Sequence, residues 1–478
     1  MEQEKNELSK IEHSLSLRMT LIKSISGIRG TIGGKTSDNL TPLDTVLFTS
    51  AYAYWLKKNH KEKEYKVVVG RDARISGSMV QGLVNQTLVG YGIEVLDVGL
   101  STTPTVEMAV TQHQAHGGII ITASHNPKQW NALKLLNQRG EFLNAASGRK
   151  ILEIAQKQEF EYATIDHLGK VTQVSGAIEE HVRRVLALPL VNSGSIKQKK
   201  FKVVLDAVNS SGGIAVPILM DALGVTTVQI YCDPTGDFPH NPEPLKENLT
   251  VLSEKVVEEK ADFGIVVDPD VDRLAFIDEN GKVFGEEYTL VACSDYILSK
   301  TPGNTVSNLS STRALSDITF QRDGNYHTSA VGEVNVVEKM KEVKAVIGGE
   351  GNGGVIYPDL HYGRDALVGI ALFLSLLAEK NQKVSVLRAS YPDYVMSKAK
   401  ISFSKGMDVD SILKKFELKY SEKNPNTIDG VKLSFESSWV HLRKSNTEPI
   451  IRVYTEAKSE KEANELAQRF LKEIEEMI

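Results

Sequence analysis

Short runs of β-branched residues alternate with longer helical patterns along most of this sequence. Residues 66–69 and 93–98 have the composition of strands, and residues 79–91, which lie between them, have a helical pattern. The alternation begins again at residues 201–206 and once more at residues 304–308. Because strands that alternate with helices form layered α/β structures, the sequence predicts an α/β fold with three consecutive α/β sandwich domains.

The last part of the chain has a different pattern. Strands are predicted at residues 399–403, 431–435, 439–442 and 450–454, and amphipathic helices at residues 409–420 and 459–478. This order is typical of a small α+β domain with an antiparallel sheet. In the third α/β domain, residues 343–347 are predicted as a strand and the apolar run 366–378 as a buried helix.

These patterns divide the chain into five segments. The segments are a polar N-terminal tail (1–18), three α/β domains (19–172, 173–296 and 297–396) and a C-terminal α+β domain (397–478). Met19 opens the first apolar segment and is a candidate for an alternative start.

Composition excludes several classes of protein. The net charge of −5 argues against a nucleic-acid-binding surface, although a local basic cleft could still bind a small anion. Cys232 and Cys293 have no CxxC spacing, so neither a disulfide framework nor a zinc site is expected. The run 366–378 is too short to span a bilayer, and residues 1–18 lack the apolar core of a signal peptide. We therefore expect a cytoplasmic protein with a small-molecule partner and without nucleic-acid or membrane partners. The sequence carries no usable signal of the oligomeric state.

A serine is predicted at the carboxyl end of a buried strand. The hexapeptide Thr-Ala-Ser-His-Asn-Pro at residues 122–127 follows the apolar run 118–121, and its Asn-Pro pair directs the chain into a loop. Open α/β sheets bind their ligands at the carboxyl ends of strands. Ser124 is therefore a candidate carrier of a covalent intermediate, although an ordinary Ser/Asn turn has the same local sequence.

Three aspartates at alternate positions form a second candidate site. Asp268, Asp270 and Asp272 follow the strand-like run 263–267 and precede Arg273. Adjacent carboxylates repel one another unless a cation lies between them, and Mg²⁺ prefers oxygen ligands of this kind. The alternative is a solvated acidic turn, which seldom follows so apolar a strand.

Two further loops are rich in hydrogen-bonding groups. Residues 443–449 offer cations, hydroxyls and backbone N–H groups to a phosphate, as an ordinary polar hairpin loop also would. The glycine-rich run 348–354 lacks the spacing of a Walker loop or a dinucleotide fingerprint. It predicts either an exposed turn, from which Glu350 and Asn352 reach sugar hydroxyls, or a flexible surface loop.

Three basic groups lie beside predicted turns, at residues 26–30, 70–74 and 131–134. Each of them taken alone is best interpreted as an ordinary surface charge. A phosphoryl carrier, however, needs cations that stabilise the transferring group. Lys134 follows Ser124 closely enough in sequence to fold back over it.

Together these loops resemble those of the α-D-phosphohexomutases, and the resemblance covers nearly the whole chain after the N-terminal tail. Four loops occur in the family's order, namely a phosphoserine loop (122–127), a metal loop (268–273), a sugar-binding loop (349–353) and a phosphate-binding loop (443–449). The resemblance implies a heart-shaped enzyme of four domains around a central cleft.

The resemblance also implies a mechanism. Ser124 would carry a phosphoryl group, and Mg²⁺ would bind it together with Asp268, Asp270 and Asp272. The phosphoryl group would pass to a hexose phosphate and form a hexose 1,6-bisphosphate. This bisphosphate would reverse its orientation and return its other phosphate to Ser124. A hexose 1,6-bisphosphate is also the expected activator. The other implied roles are charge neutralisation by Arg29 and Arg273, proton transfer or orientation by His125 and Lys134, sugar binding by Gly332, Glu333, Glu350 and Asn352, and binding of the non-reacting phosphate by Arg443, Ser445, Asn446 and Thr447.

Two of the loops depart from common family patterns. Many relatives carry glycine where this chain has Pro269 and Val271, so we expect a stiffer metal loop here. Several relatives carry serine at the position of Asn352 and histidine at that of Gly354. A proton-transfer role for that histidine cannot be carried over, and His361 is a candidate replacement.

The choice of sugar depends on the loops 332–335 and 349–354, which are most similar to those of phosphoglucosamine mutases. Both carry a carboxylate, which would favour a protonated 2-amino group. The sequence therefore favours conversion of glucosamine 6-phosphate to glucosamine 1-phosphate, a step toward amino-sugar nucleotides, with phosphomannomutase/phosphoglucomutase activity as the alternative. Two more distant alternatives are a metal-dependent sugar phosphatase with Asp268 as nucleophile and a non-catalytic sugar-phosphate-binding protein.

Overall fold

The computed structural model describes residues 20–24, 27–403, 408–444 and 450–477. The strands of these residues are β1 (Ile22–Ser24), β2 (Gly27–Thr31), β3 (Tyr65–Arg71), β4 (Ile93–Leu100), β5 (Gly117–Ile121), β6 (Trp130–Leu136), β7 (Val171–Gln173), β8 (Lys202–Asp206), β9 (Thr226–Ile230), β10 (Phe263–Val267), β11 (Leu274–Ile277), β12 (Thr305–Asn308), β13 (Tyr326–Ser329), β14 (Ile347–Glu350), β15 (Gly354–Ile356), β16 (Val395–Ser402), β17 (Val431–Ser434), β18 (Trp439–Lys444) and β19 (Ile450–Ala457).

Helices separate most of these strands in the first three domains and cover the sheet of the last one. They are α1 (Pro42–Asn59), α2 (Gly77–Gly90), α3 (Thr103–Gln112), α4 (Ala145–Lys157), α5 (Ala177–Leu186), α6 (Ser193–Lys199), α7 (Gly212–Ala222), α8 (Thr250–Glu258), α9 (Glu286–Lys300), α10 (Ala314–Gln321), α11 (Glu333–Val343), α12 (Ala366–Lys380), α13 (Val384–Ala389), α14 (Val409–Lys419) and α15 (Glu460–Glu475). Short 3₁₀ helices lie at Ile165–His167, Lys246–Asn248 and Ser421–Lys423.

The strands of the described residues form four sheets. The first has the order β1-β2-β6-β5-β3-β4-β7, in which β5, β3, β4 and β7 are parallel. The next two have the orders β11-β10-β8-β9 and β13-β12-β14-β15. The last has the order β16-β19-β18-β17 and is antiparallel. The predicted succession of three α/β domains and one α+β domain is therefore confirmed.

The strand predicted at residues 343–347 is wrong. Helix α11 extends to Val343, and β14 begins at Ile347. Val343 lies on the apolar face of the helix with Val336 and Met340, a spacing that is helical rather than strand-like. The helix ends because Lys344 adopts a positive φ of 51°, which cannot continue an α-helix.

The chain divides into two compact units. The first contains Met1–Ala187, Lys202–Leu252 and Ile265–Asp272, and the second contains Leu188–Phe201, Ser253–Gly264 and Arg273–Ile478. Each unit has its own hydrophobic core. In the first, side chains of β3 and β5 such as Val67 and Ile119 pack with those of α1.

Helix α12 confirms the predicted buried helix of the second unit. Asp365 caps it by accepting hydrogen bonds from the backbone N–H groups of Leu367 and Val368. All residues from Ala366 to Ala378 are buried, and Phe373 stacks on Phe276. Among the described residues, no helix combines the length and the hydrophobicity that a membrane-spanning helix requires.

Candidate active site

Ser124 lies at the carboxyl edge of the first sheet. Strands β3 and β5 are parallel and in register at Arg71 and Ile121, so the loops that follow them lie side by side. In the second loop the Ser124 N–H donates to Thr122 Oγ1 at 2.9 Å, and Ser124 adopts a positive φ of 48°. Such a conformation costs a non-glycine residue about 1–3 kcal/mol and persists where neighbouring groups enforce it.

The guanidinium of Arg74 is the main neighbouring group that holds this loop. Its nitrogens donate to the carbonyl oxygens of Ser124, Asn126, Pro127 and Trp130. Arg74 is 1% exposed, and its charge is balanced by Asp72, whose Oδ2 lies 3.1 Å from Arg74 Nε. The interpretation of residues 70–74 as an ordinary surface charge is therefore wrong for Arg74. Its local sequence has no signal of burial, because the carbonyl groups that bind it come from a loop about 50 residues later.

The three predicted metal ligands lie together beside Ser124. Asp268, Asp270 and Asp272 are each 0% exposed, and their carboxylates offer oxygen atoms within 4.8 Å of one another. Ser124 Oγ donates to Asp268 Oδ2 at 2.7 Å. Val271, which lies between Asp270 and Asp272, has a φ of +63°. This value is unusual for a β-branched residue and typical of a strained functional loop. The alternative of a solvated acidic turn is excluded by this burial.

The acidic loop fits a divalent cation. Oδ1 of Asp270 is buried and receives no hydrogen bond from the described residues. A buried carboxylate oxygen without a donor is costly unless a cation compensates it. Three carboxylates with hard oxygen atoms match the preference of Mg²⁺, so Asp268, Asp270 and Asp272 could hold such an ion.

Lys134 also compensates the aspartates. Its Nζ lies 2.7 Å from Asp270 Oδ2 and 3.4 Å from Asp272 Oδ2. Burial would raise the pKa of Asp270, but the ammonium of Lys134 and the hydroxyl of Thr103 outweigh this effect and hold that pKa well below its usual value. Lys134 therefore belongs to the same cluster as Ser124, through the acidic loop.

We expect Lys134→Met to destabilise the protein in the presence of a chelator by about 3–5 kcal/mol, because removal of one partner leaves buried carboxylates uncompensated. Added Mg²⁺ should restore most of this loss, which thermal unfolding with and without Mg²⁺ would measure. Lys128→Met is the control, since Lys128 pairs with Asp237 and both side chains are largely exposed. An exposed pair contributes about 0–1 kcal/mol. Equal destabilisation of Lys134→Met with and without Mg²⁺ would contradict the expectation.

His125 lies next to Ser124, and Arg29 lies on β2, the strand that pairs with the strand of Lys134. His125 Nδ1 lies 3.4 Å from Ser124 Oγ, and its Nε2 lies 4.0 Å from Glu243 Oε1. Arg29 of β2 is paired with Ala132 of β6, so it points to the same side of the sheet as Lys134. His125 is thus placed to exchange a proton with Ser124, and Arg29 contributes positive charge on the face that carries Lys134.

Arg273 belongs to the second unit, together with the predicted sugar-binding and phosphate-binding residues. Its side chain is largely buried. The proposed role of Arg273 in charge neutralisation stays a prediction.

The glycine-rich run of the second unit is a buried hairpin. Glu350 ends β14 and is 5% exposed, and it pairs with Gly354 of the antiparallel β15. Gly353 has a φ of +88°, and a Cβ there would lie 2.3 Å from the carbonyl oxygen of Leu274. The predicted exposed turn is therefore wrong for Glu350, because the hairpin packs against β11, whereas Asn352 is half-buried.

The structure brings three of the predicted sugar-binding residues together. Glu350 Oε1 accepts hydrogen bonds from Asn308 Nδ2 at 2.8 Å and from the Gly332 N–H at 3.1 Å. Arg364 bridges Glu350 and Glu333 through its guanidinium. The sequence does not point to Asn308 or Arg364, since no local pattern relates them to the hairpin.

The predicted phosphate-binding loop begins at the end of β18. Arg443 Nε donates to Asp429 Oδ2 at 2.8 Å, and the same oxygen accepts from the Val331 N–H at 2.9 Å. Asp429 thus holds Arg443 next to residues that precede Gly332. Ser445, Asn446 and Thr447 lie outside the described residues, so their assigned roles stay predictions.

His441, also on β18, should make stability depend on pH. Its Nδ1 accepts from Ser310 Oγ at 3.0 Å and its Nε2 donates to the carbonyl oxygen of Asp429 at 2.6 Å. Burial lowers the pKa of His441 to about 4, despite the opposing effect of the hydrogen bond to Asp429. The unfolded chain binds this proton near pH 6.5 and the folded chain does not, so stability is lost as the pH falls from about 6.5 to about 4.

We expect this loss to reach about 2 kcal/mol between pH 7 and pH 5. In His441→Gln the amide can still donate to Asp429, and this part of the pH dependence should disappear. Unfolding midpoints of both proteins across this pH range would measure the difference. Parallel pH profiles of the two proteins would contradict the assignment.

Known protein families match the chain along most of its length. Four family models match successive parts of the chain. They are described as phosphoglucomutase/phosphomannomutase alpha/beta/alpha domain I (residues 21–162), domain II (residues 179–281), domain III (residues 285–394) and C-terminal domain (residues 395–473).

Individual relatives are similar over nearly their whole length. The chain is 34% identical over 456 residues to a phosphoglucomutase/phosphomannomutase of Thermococcus kodakarensis, covering 94% of this chain and 98% of the relative. It is 32% identical over 459 residues to a phosphoglucosamine/phosphogalactosamine mutase of Sulfurisphaera tokodaii, again covering 94% and 98%. The crystal structure of a phosphoglucomutase/phosphomannomutase family protein from Burkholderia thailandensis matches with a TM-score of 0.82 at 25% identity, covering 95% of this chain and 98% of that one.

Proposed function

The chain belongs to the phosphoglucomutase/phosphomannomutase family, and we propose that it interconverts the 6-phosphate and the 1-phosphate of a hexosamine with Ser124 as the phosphoryl carrier. Membership in this family makes the protein a phosphohexomutase, that is, an isomerase that changes the position of the phosphoryl group on a hexose phosphate. The assignment of Ser124 rests on the 2.7 Å hydrogen bond from its Oγ to Asp268 in a buried cluster of carboxylates.

In the proposed reaction, phosphorylated Ser124 gives its phosphoryl group to the free hydroxyl of a bound hexose phosphate. The bond between phosphorus and Ser124 Oγ breaks, a bond between phosphorus and the sugar oxygen forms, and the proton of the sugar hydroxyl ends on Ser124 Oγ, which becomes a free serine hydroxyl. The resulting 1,6-bisphosphate reverses its orientation in the site and returns its other phosphoryl group to Ser124 Oγ. Because one phosphoryl group stays with the enzyme after each cycle, a hexose 1,6-bisphosphate should act as activator by phosphorylating Ser124.

The acidic loop would hold Mg²⁺ through Asp268, Asp270 and Asp272, together with an oxygen of phosphorylated Ser124. A bound Mg²⁺ would supply positive charge to the transferring phosphoryl group. His125 is the proposed proton acceptor or donor, because its Nδ1 lies 3.4 Å from Ser124 Oγ. Lys134 is the proposed orienting group, because its ammonium contacts two of the three aspartates.

Sugar recognition is proposed for the second unit. Glu350, with Gly332 and Asn352, would bind ring hydroxyls, and Glu333 would support Glu350 through their shared contact with Arg364. Arg443 would bind the phosphate that is not reacting, with Ser445, Asn446 and Thr447 as further donors. Arg29 and Arg273 would add positive charge during transfer.

The preference for an amino sugar rests on negative charge near the sugar. Glu333 and Glu350 belong to one cluster, and a relative from Sulfurisphaera tokodaii is named a phosphoglucosamine/phosphogalactosamine mutase. Phosphoglucomutase/phosphomannomutase activity is the second candidate, favoured by the contact of Arg364 with both carboxylates, which compensates part of their charge. The relative from Thermococcus kodakarensis carries the name of this second activity.

A coupled mutase assay on the 6-phosphates of glucosamine, glucose and mannose, with Mg²⁺ and hexose 1,6-bisphosphate, would test the proposal. A dominant kcat/KM for glucosamine phosphate is the expected result. Higher kcat/KM values for glucose or mannose phosphate would replace the amino-sugar assignment by the second candidate. Release of free phosphate without isomerisation would favour a phosphatase, and binding without any turnover would favour a non-catalytic binding protein.

A further inference from the structure

One guanidinium links the two carboxylates of the proposed sugar site. Arg364 is 8% exposed, with its Nη1 3.1 Å from Glu350 Oε2 and its Nε 2.9 Å from Glu333 Oε2. Its backbone N–H also donates to Glu333 Oε1 at 3.2 Å. Both carboxylates therefore contact the same guanidinium, which reduces the negative charge that they present to a ligand.

The hairpin accommodates this guanidinium because residue 354 is glycine. A Cβ on Gly354 would lie 2.3 Å from Cδ and 3.0 Å from Cγ of Arg364. A real Cβ cannot approach carbon atoms so closely, so a larger residue at position 354 would displace the Arg364 stem. The aliphatic part of Arg364 thus fills the space that a side chain at position 354 would need.

The contacts of Glu350 leave it little freedom. A carboxylate offers about four acceptor positions. Among the described residues, Asn308 and Gly332 donate to Glu350 Oε1, and Arg364 contacts Oε2. One acceptor position on Oε2 remains, and the three protein donors fix its direction.

We propose that Arg364 is a specificity-determining positioning residue for the sugar. It holds Glu350 in the orientation that accepts one sugar hydroxyl, and it limits the negative charge that would otherwise select strongly for a protonated amine. This inference rests on the proposed function, since it assumes that Glu350 faces a hexose phosphate. Arg364 sets the balance between neutral and amino sugars that the sequence of the hairpin alone does not determine.

The test compares wild type with Arg364→Met and Arg364→Lys. Binding of glucose 6-phosphate and glucosamine 6-phosphate is measured by calorimetry, and kcat/KM is measured where turnover occurs. Arg364→Met should weaken binding of both sugars but weaken that of glucose 6-phosphate at least about 10-fold more, because the ammonium of the amino sugar gains from carboxylates that the guanidinium no longer compensates. Arg364→Lys keeps the charge but not the two-sided contact, so it should weaken both sugars and retain the wild-type ratio.

Gly354→Ala supplies a second, independent variant. Its Cβ should displace Arg364 and shift the ratio of the two affinities in the same direction as Arg364→Met. In the Arg364→Met background the same change should have little further effect on the ratio, because the guanidinium whose displacement shifts the ratio is already absent. Additive effects of the two substitutions on the ratio would overturn the inference, as would equal weakening of both sugars in Arg364→Met.

Arg322→Met is the matched control, since Arg322 also pairs with a carboxylate, Asp295, and lies on the same unit. It should leave both affinities unchanged.

Failure of the two proposals can be separated, because the binding ratio requires no turnover. If wild type binds both sugars without isomerising them, the mutase proposal fails and the ratio still tests Arg364. If wild type binds neither sugar, both proposals fail.

Discussion

Ser124→Ala should abolish mutase activity, with a loss in kcat of at least about 10⁴-fold, because no other group can take over as the phosphoryl carrier. Ser124 Oγ is the group that donates to Asp268 in the buried cluster, and the substitution removes that one atom. The fold should be retained, since the backbone of the loop is held by Arg74 and by the hydroxyl of Thr122. Initial rates of the coupled assay, with the thermal midpoint as a folding check, would measure the effect.

The same experiment has a chemical readout that does not depend on turnover. Incubation with a hexose 1,6-bisphosphate should add the mass of one phosphoryl group to wild type and none to Ser124→Ala. Ser147→Ala, in the first turn of α4, is the matched control and should be labelled like wild type. Activity that survives in Ser124→Ala would remove the phosphoserine mechanism and direct attention to Asp268 as nucleophile, as in a phosphatase.

Features that depend on local sequence could be predicted, and those that depend on tertiary contacts could not. The strands and the acidic loop were identified because residue type and spacing carry the signal in a few consecutive positions. The sequence does not distinguish Arg74 from a surface charge, because its partners are carbonyl groups of residues 124–130, which are adjacent to it only in the folded sheet. The sequence does not indicate the role of Arg364 for the same reason, since Glu333 lies about 30 residues away in sequence.

The error at residues 343–347 has a different origin. Val343 and Ile347 are β-branched, and such residues suit strands as well as the apolar face of a short helix. The decision between the two depends on Val336 and Met340, with which Val343 forms the buried face of α11. The exposed turn predicted around Glu350 failed because glycine-rich runs also form tight hairpins when another strand packs against them, as β11 does here.

The acidic loop gives the second large effect. Asp270→Asn should lower kcat by about 10²–10⁴-fold, because the variant loses one oxygen ligand and one charge from the site that would hold Mg²⁺. In the presence of a chelator, Asp270→Asn should be about as stable as wild type. Its amide oxygen can still accept from Thr103 Oγ1 and Lys134 Nζ, and the repulsion among three carboxylates is relieved.

The decisive comparison is the response of stability to Mg²⁺. An ion that binds the folded state stabilises it by about 2.7 kcal/mol at 100 times its Kd, so wild type should gain stability with Mg²⁺ concentration. Asp270→Asn should gain much less, while Asp278→Asn, which removes a buried carboxylate from the turn after β11, should respond like wild type. A full response to Mg²⁺ in Asp270→Asn would show that the ion binds elsewhere. The buried Oδ1 of Asp270, which receives no hydrogen bond from the described residues, would then need another partner.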